Sequence, residues 1–137
     1  MAQEQKDLLL KDLSARLPYG VKGIITCNGD KNIFTIKGIF NILFLSDTEC
    51  CNVEDFKPYL FPLSSMTKEQ LFEVQEILGK NEIKIDDGFL RIVDSDRNVI
   101  TYLEILAVLE WFYKNHFDIN DLIPKGLAID ATGLNIY

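Results

Sequence analysis

A chain of 137 residues, 47% hydrophobic and 26% charged, carries enough apolar surface to offset chain entropy. This excludes the disordered class and predicts one continuous domain over residues 1–137. Twenty-one acidic against 14 basic residues give a net charge of −7, which disfavours non-specific attraction to phosphate backbones. The first residues have mixed charge and no signal-peptide run, and no apolar stretch approaches the roughly 20 residues that span a bilayer. Three cysteines, two of them adjacent, make no disulfide framework, so the chain reads as cytoplasmic and without a membrane partner.

Along residues 3–17, Leu9, Leu10, Leu13 and Leu17 recur at helical spacing among Lys6, Asp7, Lys11 and Asp12, predicting an amphipathic helix. Pro18 and Gly20 end it, Pro18 by disfavouring helical geometry at Leu17 and Gly20 by its freedom to take positive φ. Residues 21–27 and 33–36 read as strands joined across the turn Asn28-Gly29-Asp30, and residues 39–45 as a third strand. Residues 53–60 have the spacing of a short edge strand or a single helical turn, kept short by Pro58 and Pro62. The fold class is therefore α+β, with a small antiparallel sheet that either stays open or curls into an SH3-like barrel.

Thr67 and Gln70 stand as a capping box, with Met66 and Leu71 as its hydrophobic staple. Leu71, Val74, Ile77 and Leu78 continue as the apolar stripe of a middle helix, and Gly79 is placed to end it. Ile83 and Ile85, the turn Asp86-Asp87-Gly88 and residues 89–93 predict a second hairpin. Residues 100–116 read as a long C-terminal helix apolar over most of its circumference, which must be central or covered by a partner. The tail holds a helical turn at residues 120–123 and a short apolar run at residues 127–129.

No constellation of catalytic residues emerges. Asp94-Ser95-Asp96-Arg97-Asn98 opens like a calcium loop, but Val99 replaces the glycine of the sharp turn and Ile105 the bidentate glutamate, so it reads as a solvated turn. Cys50 and Cys51 lack a second ligand pair at zinc spacing, and Cys27 lacks an activating context. His116, the sole histidine, reads as a helix-end residue interacting with the dipole. The acidic pairs Glu54-Asp55 and Asp86-Asp87 sit in turn-like settings and read as solvated loops. No catalytic residue, metal ligand or cofactor is expected, and the chain is read as a non-enzyme. The density of Trp111, Tyr113 and Phe117, with Tyr59 and Phe61, is the one feature that suggests recognition; the same rings equally suit a core.

The stretch Lys57-Pro58-Tyr59-Leu60-Phe61-Pro62-Leu63-Ser64-Ser65-Met66-Thr67 resembles a family of small proteins of gut bacteria and their phages or other mobile elements. Asp12-Leu13-Ser14-Ala15-Arg16-Leu17-Pro18-Tyr19-Gly20-Val21 is similar to that family's opening segment. Residues 111–118 and Asp121-Leu122-Ile123-Pro124-Lys125-Gly126-Leu127-Ala128 are similar to its closing one. This chain departs from the family pattern at Phe61, where a basic residue is expected, and after Asp130. The resemblance implies a setting among accessory genes, where small proteins often bind other proteins, and no reaction.

The leading expectation is a non-catalytic interaction or structural protein whose partner is another protein or a second copy. Two alternatives stand beside it. One is a nucleic-acid-binding sheet using Lys22, Lys31 and Lys37 with Phe34 or Tyr19, which the net charge opposes. The other is an acidic decoy that occupies the nucleic-acid site of a basic host protein.

Overall fold

A computed structural model describes residues 1–27, 29, 31–40, 42–46, 49–78, 82–86, 89–93 and 102–137, with side chains described outside residues 79–102. The elements run α1 (Gln3–Arg16), β1 (Lys22–Ile25), β2 (Ile33–Thr35), β3 (Gly38–Ile39), β4 (Leu43–Phe44), β5 (Cys50–Cys51), β6 (Phe56–Leu60), α2 (Lys68–Leu78), β7 (Glu82–Asp86), β8 (Phe89–Val93), α3 (Tyr102–Lys114) and β9 (Ile129–Asp130). Short 3₁₀ turns cover Leu17–Tyr19, Val53–Asp55 and Leu63–Ser65. The chain is α+β and divides into two compact units, one of Met1–Leu60 with Asn120–Tyr137, the other of Phe61–Ile119.

In the first unit, α1 buries Leu9 and Leu13 as the stripe requires, while Leu10 is exposed. Leu17 keeps helical angles, φ −51° and ψ −43°, contrary to the expectation that Pro18 would push it out. Pro18 is the second residue of the 3₁₀ turn, where its missing N–H costs no bond, and Gly20 then reverses the chain at φ 70°. The expected hairpin forms between β1 and β2, pairing Lys22 with Thr35 and Ile24 with Ile33; Asn28 and Asp30 of its turn lie outside the described residues.

The strand expected over residues 39–45 is instead two short strands. β3 and β4 pair antiparallel, and β4 pairs with β5, forming a three-stranded sheet of its own. The Phe40 N–H donates to the Ile42 carbonyl, so the chain reverses inside the run whose apolar pattern suggested one strand.

The four-stranded sheet has the order β2-β1-β6-β9. Thus β6 is an inner strand rather than the expected edge, pairing antiparallel with β1 and parallel with β9. Pro58 is tolerated there for a geometric reason. The Thr26 N–H donates to the Asp55 carbonyl at 2.7 Å, so hydrogen-bonded pairs alternate from that position and Pro58 faces Gly23 at a non-bonded one. Gly23 is required at that crossing, since a Cβ built on it would collide with the Lys57 carbonyl and the Phe56 ring. Phe56, Pro58 and Leu60 alternate inward while Lys57 and Tyr59 turn outward. Neither sheet closes among the described residues, so the barrel alternative is not realised. The core of this unit gathers Leu9, Leu13, Ile25, Leu43, Phe56 and Leu60 with Leu122, Leu127 and Ala128 from the tail.

In the second unit the capping box forms as expected. The Gln70 N–H donates to Thr67 Oγ1 at 3.2 Å, and the Thr67 N–H to Gln70 Oε1 at 2.9 Å. Val74 and Leu78 are buried, and Met66 and Ile77 pack against the core they form with Leu63, Val108, Phe112 and Phe117. The second hairpin is present as β7 and β8 in register from Glu82 opposite Val93 to Asp86 opposite Phe89. Gly79, the turn at residues 87–88 and the calcium-like loop at residues 94–98 lie outside the described residues.

The helix expected over residues 100–116 is described from Tyr102 to Lys114. It is not the last element, because the chain returns through β9. It ends in a Schellman motif. The Phe117 N–H donates to the Phe112 carbonyl at 3.0 Å, the His116 N–H to the Tyr113 carbonyl at 3.1 Å, and His116 takes the left-handed position at φ 64°. His116 is therefore the cap beyond the helix rather than part of its last turn.

Candidate interaction surface and buried polar sites

The aromatic residues singled out in the sequence occupy different settings. Phe117 is a core ring, 2% exposed, packed edge-on against Phe112 at 6.1 Å. Trp111 is half-buried, stacked on Phe117 at 5.7 Å and 13°, and its indole N–H donates to Glu73 Oε2 at 3.1 Å. Phe61 is half-buried and tilted against Phe117 at 5.9 Å, with backbone bonds to His116 and Asp118. Tyr113 is half-buried on α3, and Tyr59 half-buried on β6 in the other unit.

The exposed apolar face of the second unit lies elsewhere on α3. Leu103 is 76% exposed, Leu106 43% and Ile105 38%, while Val108 and Phe112 point to the core. Leu103 and Leu106 are three residues apart and therefore neighbours on one side of the helix. The residue pattern contained them, but a run apolar on every side gave no basis for choosing which leucines face outward. Phe72 on α2 is 64% exposed; in the first unit, Phe40 and Phe44 of the β3–β4 hairpin are exposed as well.

The lysines proposed for nucleic-acid contact are placed as follows. Lys31 and Lys37 are exposed, whereas Lys22 is half-buried and engaged with the tail. Its ammonium donates to the Ile136 carbonyl at 3.1 Å and lies 5.7 Å from the centre of the Tyr137 ring. The Tyr137 hydroxyl accepts from the Lys22 N–H at 2.9 Å and donates to the Tyr59 carbonyl at 2.8 Å. Burial pushes the Tyr137 phenol up to about 12, although the Lys22 N–H bond and the Arg16 charge act in the opposite direction.

A second polar site was hidden by its surroundings. Asp12 and Arg16 have no exposed surface, yet they form a two-point pair, Nε to Oδ2 at 2.6 Å and Nη2 to Oδ1 at 3.0 Å. The Asn120 side-chain amide donates to Asp12 Oδ1 at 2.8 Å. The fork geometry distributes each charge over two bonds, which a buried pair requires.

Cys50 and Cys27 are exposed and Cys51 is half-buried. Burial, followed by the charge of Asp55 and the neighbouring thiols, pushes Cys51 up to about 11, which opposes a thiolate role. No group of three or more His, Cys, Asp or Glu side chains suited to a metal occurs among the described residues. A polar groove between α1 and the turn Val53–Asp55 is lined by Gln3, Lys6, Asp7 and Glu54, where Lys6 is ion-paired to Glu54. No helix is long and apolar enough to cross a membrane among the described residues. No protein-family model, curated protein or solved structure matches the chain.

Proposed function

We propose that the protein is a non-catalytic interaction protein that associates with a second copy through α3, acting as an accessory protein of a mobile element. The observation that carries this reading is the exposure of Leu103 and Leu106 on one side of α3, at 76% and 43%. A twofold contact would bring four such leucines together, each contributing about 1.5–3 kcal/mol if fully buried. Leu106 is already more than half buried, so the gain falls short of that limit, and set against an association cost of about 4–15 kcal/mol it makes any dimer a weak one.

Sedimentation velocity over a rising concentration series tests the reading. The wild-type chain is expected to shift toward dimer, and L103E/L106E to remain monomeric with an unchanged far-UV spectrum. A wild-type chain still monomeric at about 1 mM overturns it.

A further inference from the structure

The pairing of β1 with β6 runs from Ile25 opposite Phe56 to Gly23 opposite Pro58. The next pair in this register is Lys22 with Tyr59, and the alternation set by Thr26 and Asp55 makes it a hydrogen-bonding position. The Tyr137 hydroxyl lies on that line, accepting from the Lys22 N–H at 2.9 Å and donating to the Tyr59 carbonyl at 2.8 Å. A group that serves both must accept and donate through one atom, which a hydroxyl does. The Lys22 ammonium, 5.7 Å from the ring centre, adds a preference for an aromatic face. Together these contacts select a phenol.

The segment bringing that phenol is tied to its own root by local bonds, Thr132 N–H to Asp130 Oδ1 at 2.9 Å and Leu134 N–H to the Ala131 carbonyl at 3.1 Å, and reaches the sheet again at Ile136 and Tyr137. Ala131 is 1% exposed and its N–H donates to the Leu60 carbonyl at 2.8 Å. Beyond it Thr132, Gly133, Leu134 and Asn135 are exposed, and Gly133 and Asn135 take left-handed angles, φ 76° and 52°. With little apolar burial between its two attachments, this segment opens at a smaller free-energy cost than the sheet beneath it.

We propose that residues 132–137 form a releasable strap, and that the place Tyr137 fills between Lys22 and Tyr59 is a phenol-binding site that also accepts the Tyr137 strap of a second copy. Ala131 is the fixed point about which the strap leaves. This site is separate from the leucines of α3 and does not rest on the reading given for them.

Amide hydrogen exchange resolved by NMR on the full chain tests the proposal. Y137F keeps the ring and removes the bridging oxygen. It is expected to speed Lys22 amide exchange by about tenfold or more, with the Thr26 amide of the same ladder unchanged. A peptide of the sequence of residues 129–137, added to full-length Y137A, is expected to restore Lys22 protection; the same peptide ending in phenylalanine is not. Equal Lys22 exchange in wild type and Y137F overturns the strap. Failure of the tyrosine peptide to protect Lys22 in Y137A overturns the site in trans. If Y137A does not fold, wild-type chains carrying nitrogen-15 or carbon-13 separately are mixed, and absence of intermolecular contacts between Tyr137 and Lys22 overturns the exchange.

Discussion

Replacing Arg16 by methionine isolates the contribution of the buried pair on α1. Methionine fills much of the same space along an unbranched chain, so the loss is mainly that of the guanidinium rather than a cavity. Asp12 would remain fully buried, stripped of bonds of 2.6 and 3.0 Å and keeping the 2.8 Å bond from Asn120. Removing one partner of a buried ion pair costs about 3–5 kcal/mol, a large share of the 5–15 kcal/mol typical of a folded domain. For a unit of this size, a loss of about 3 kcal/mol lowers the Tm by roughly 12–24 °C. The sole tryptophan lies in the other unit, so the transition should be followed by far-UV circular dichroism as well as by fluorescence. The double variant D12L/R16M removes both charges and is expected to regain most of the loss, because no uncompensated carboxylate remains. R16M within about 0.5 kcal/mol of wild type would refute the reasoning, as would D12L and R16M losses that simply add in the double variant.

Thr67→Ala removes the Gln70 N–H acceptor at the start of α2, and Trp111 fluorescence in urea should report a loss of about 1 kcal/mol. Two glycine substitutions separate conformation from collision. Gly126 sits at φ 72° with nothing within 4 Å of an added Cβ, so G126A should cost about 1 kcal/mol; G23A, whose Cβ meets the Lys57 carbonyl and the Phe56 ring, should cost clearly more by the same thermal melt. Cys51 and Tyr137 are both raised in the fold, from 9.0 to about 11 and from 10.0 to about 12. The folded chain therefore holds protons that the unfolded chain has released, and their stabilisation is complete below pH 9 and lost as pH rises to 12. Denaturant midpoints measured across that range in wild type and Y137F should converge at the alkaline end; parallel curves would contradict the Tyr137 assignment.

Local chemistry was legible in the sequence where neighbours along the chain decided it. The Thr67–Gln70 box, the Leu9–Leu13 stripe and the β1–β2 hairpin each depend on spacings of a few residues, and each is present. Residues 39–45 misled because a uniformly apolar run carries the same pattern whether it continues or reverses, and the reversal at Phe40 is a backbone event. The place of β6 inside its sheet was not legible either. Two residues, Ile129 and Asp130, supply its second neighbour from the far end of the chain, and a two-residue strand leaves no periodicity to read.

Asp12, Arg16, Asn120 and Tyr137 were missed for a related reason. Asp12 and Arg16 are four residues apart and opposite in charge, a pattern that marks a solvated helix face far more often than a buried one. What buries them is not in α1 itself. The segment of residues 120–137 brings Asn120 to Asp12, adds Leu122, Leu127 and Ala128 to the core, pairs β9 with β6 and seats Tyr137 on Lys22. Each of these contacts joins residues far apart in the sequence, so the first unit cannot complete its core from residues 1–60 alone. Closing such long loops costs chain entropy, which these contacts must offset. The strap, held by polar contacts over an exposed run, is the part of that segment that opens at the smallest free-energy cost.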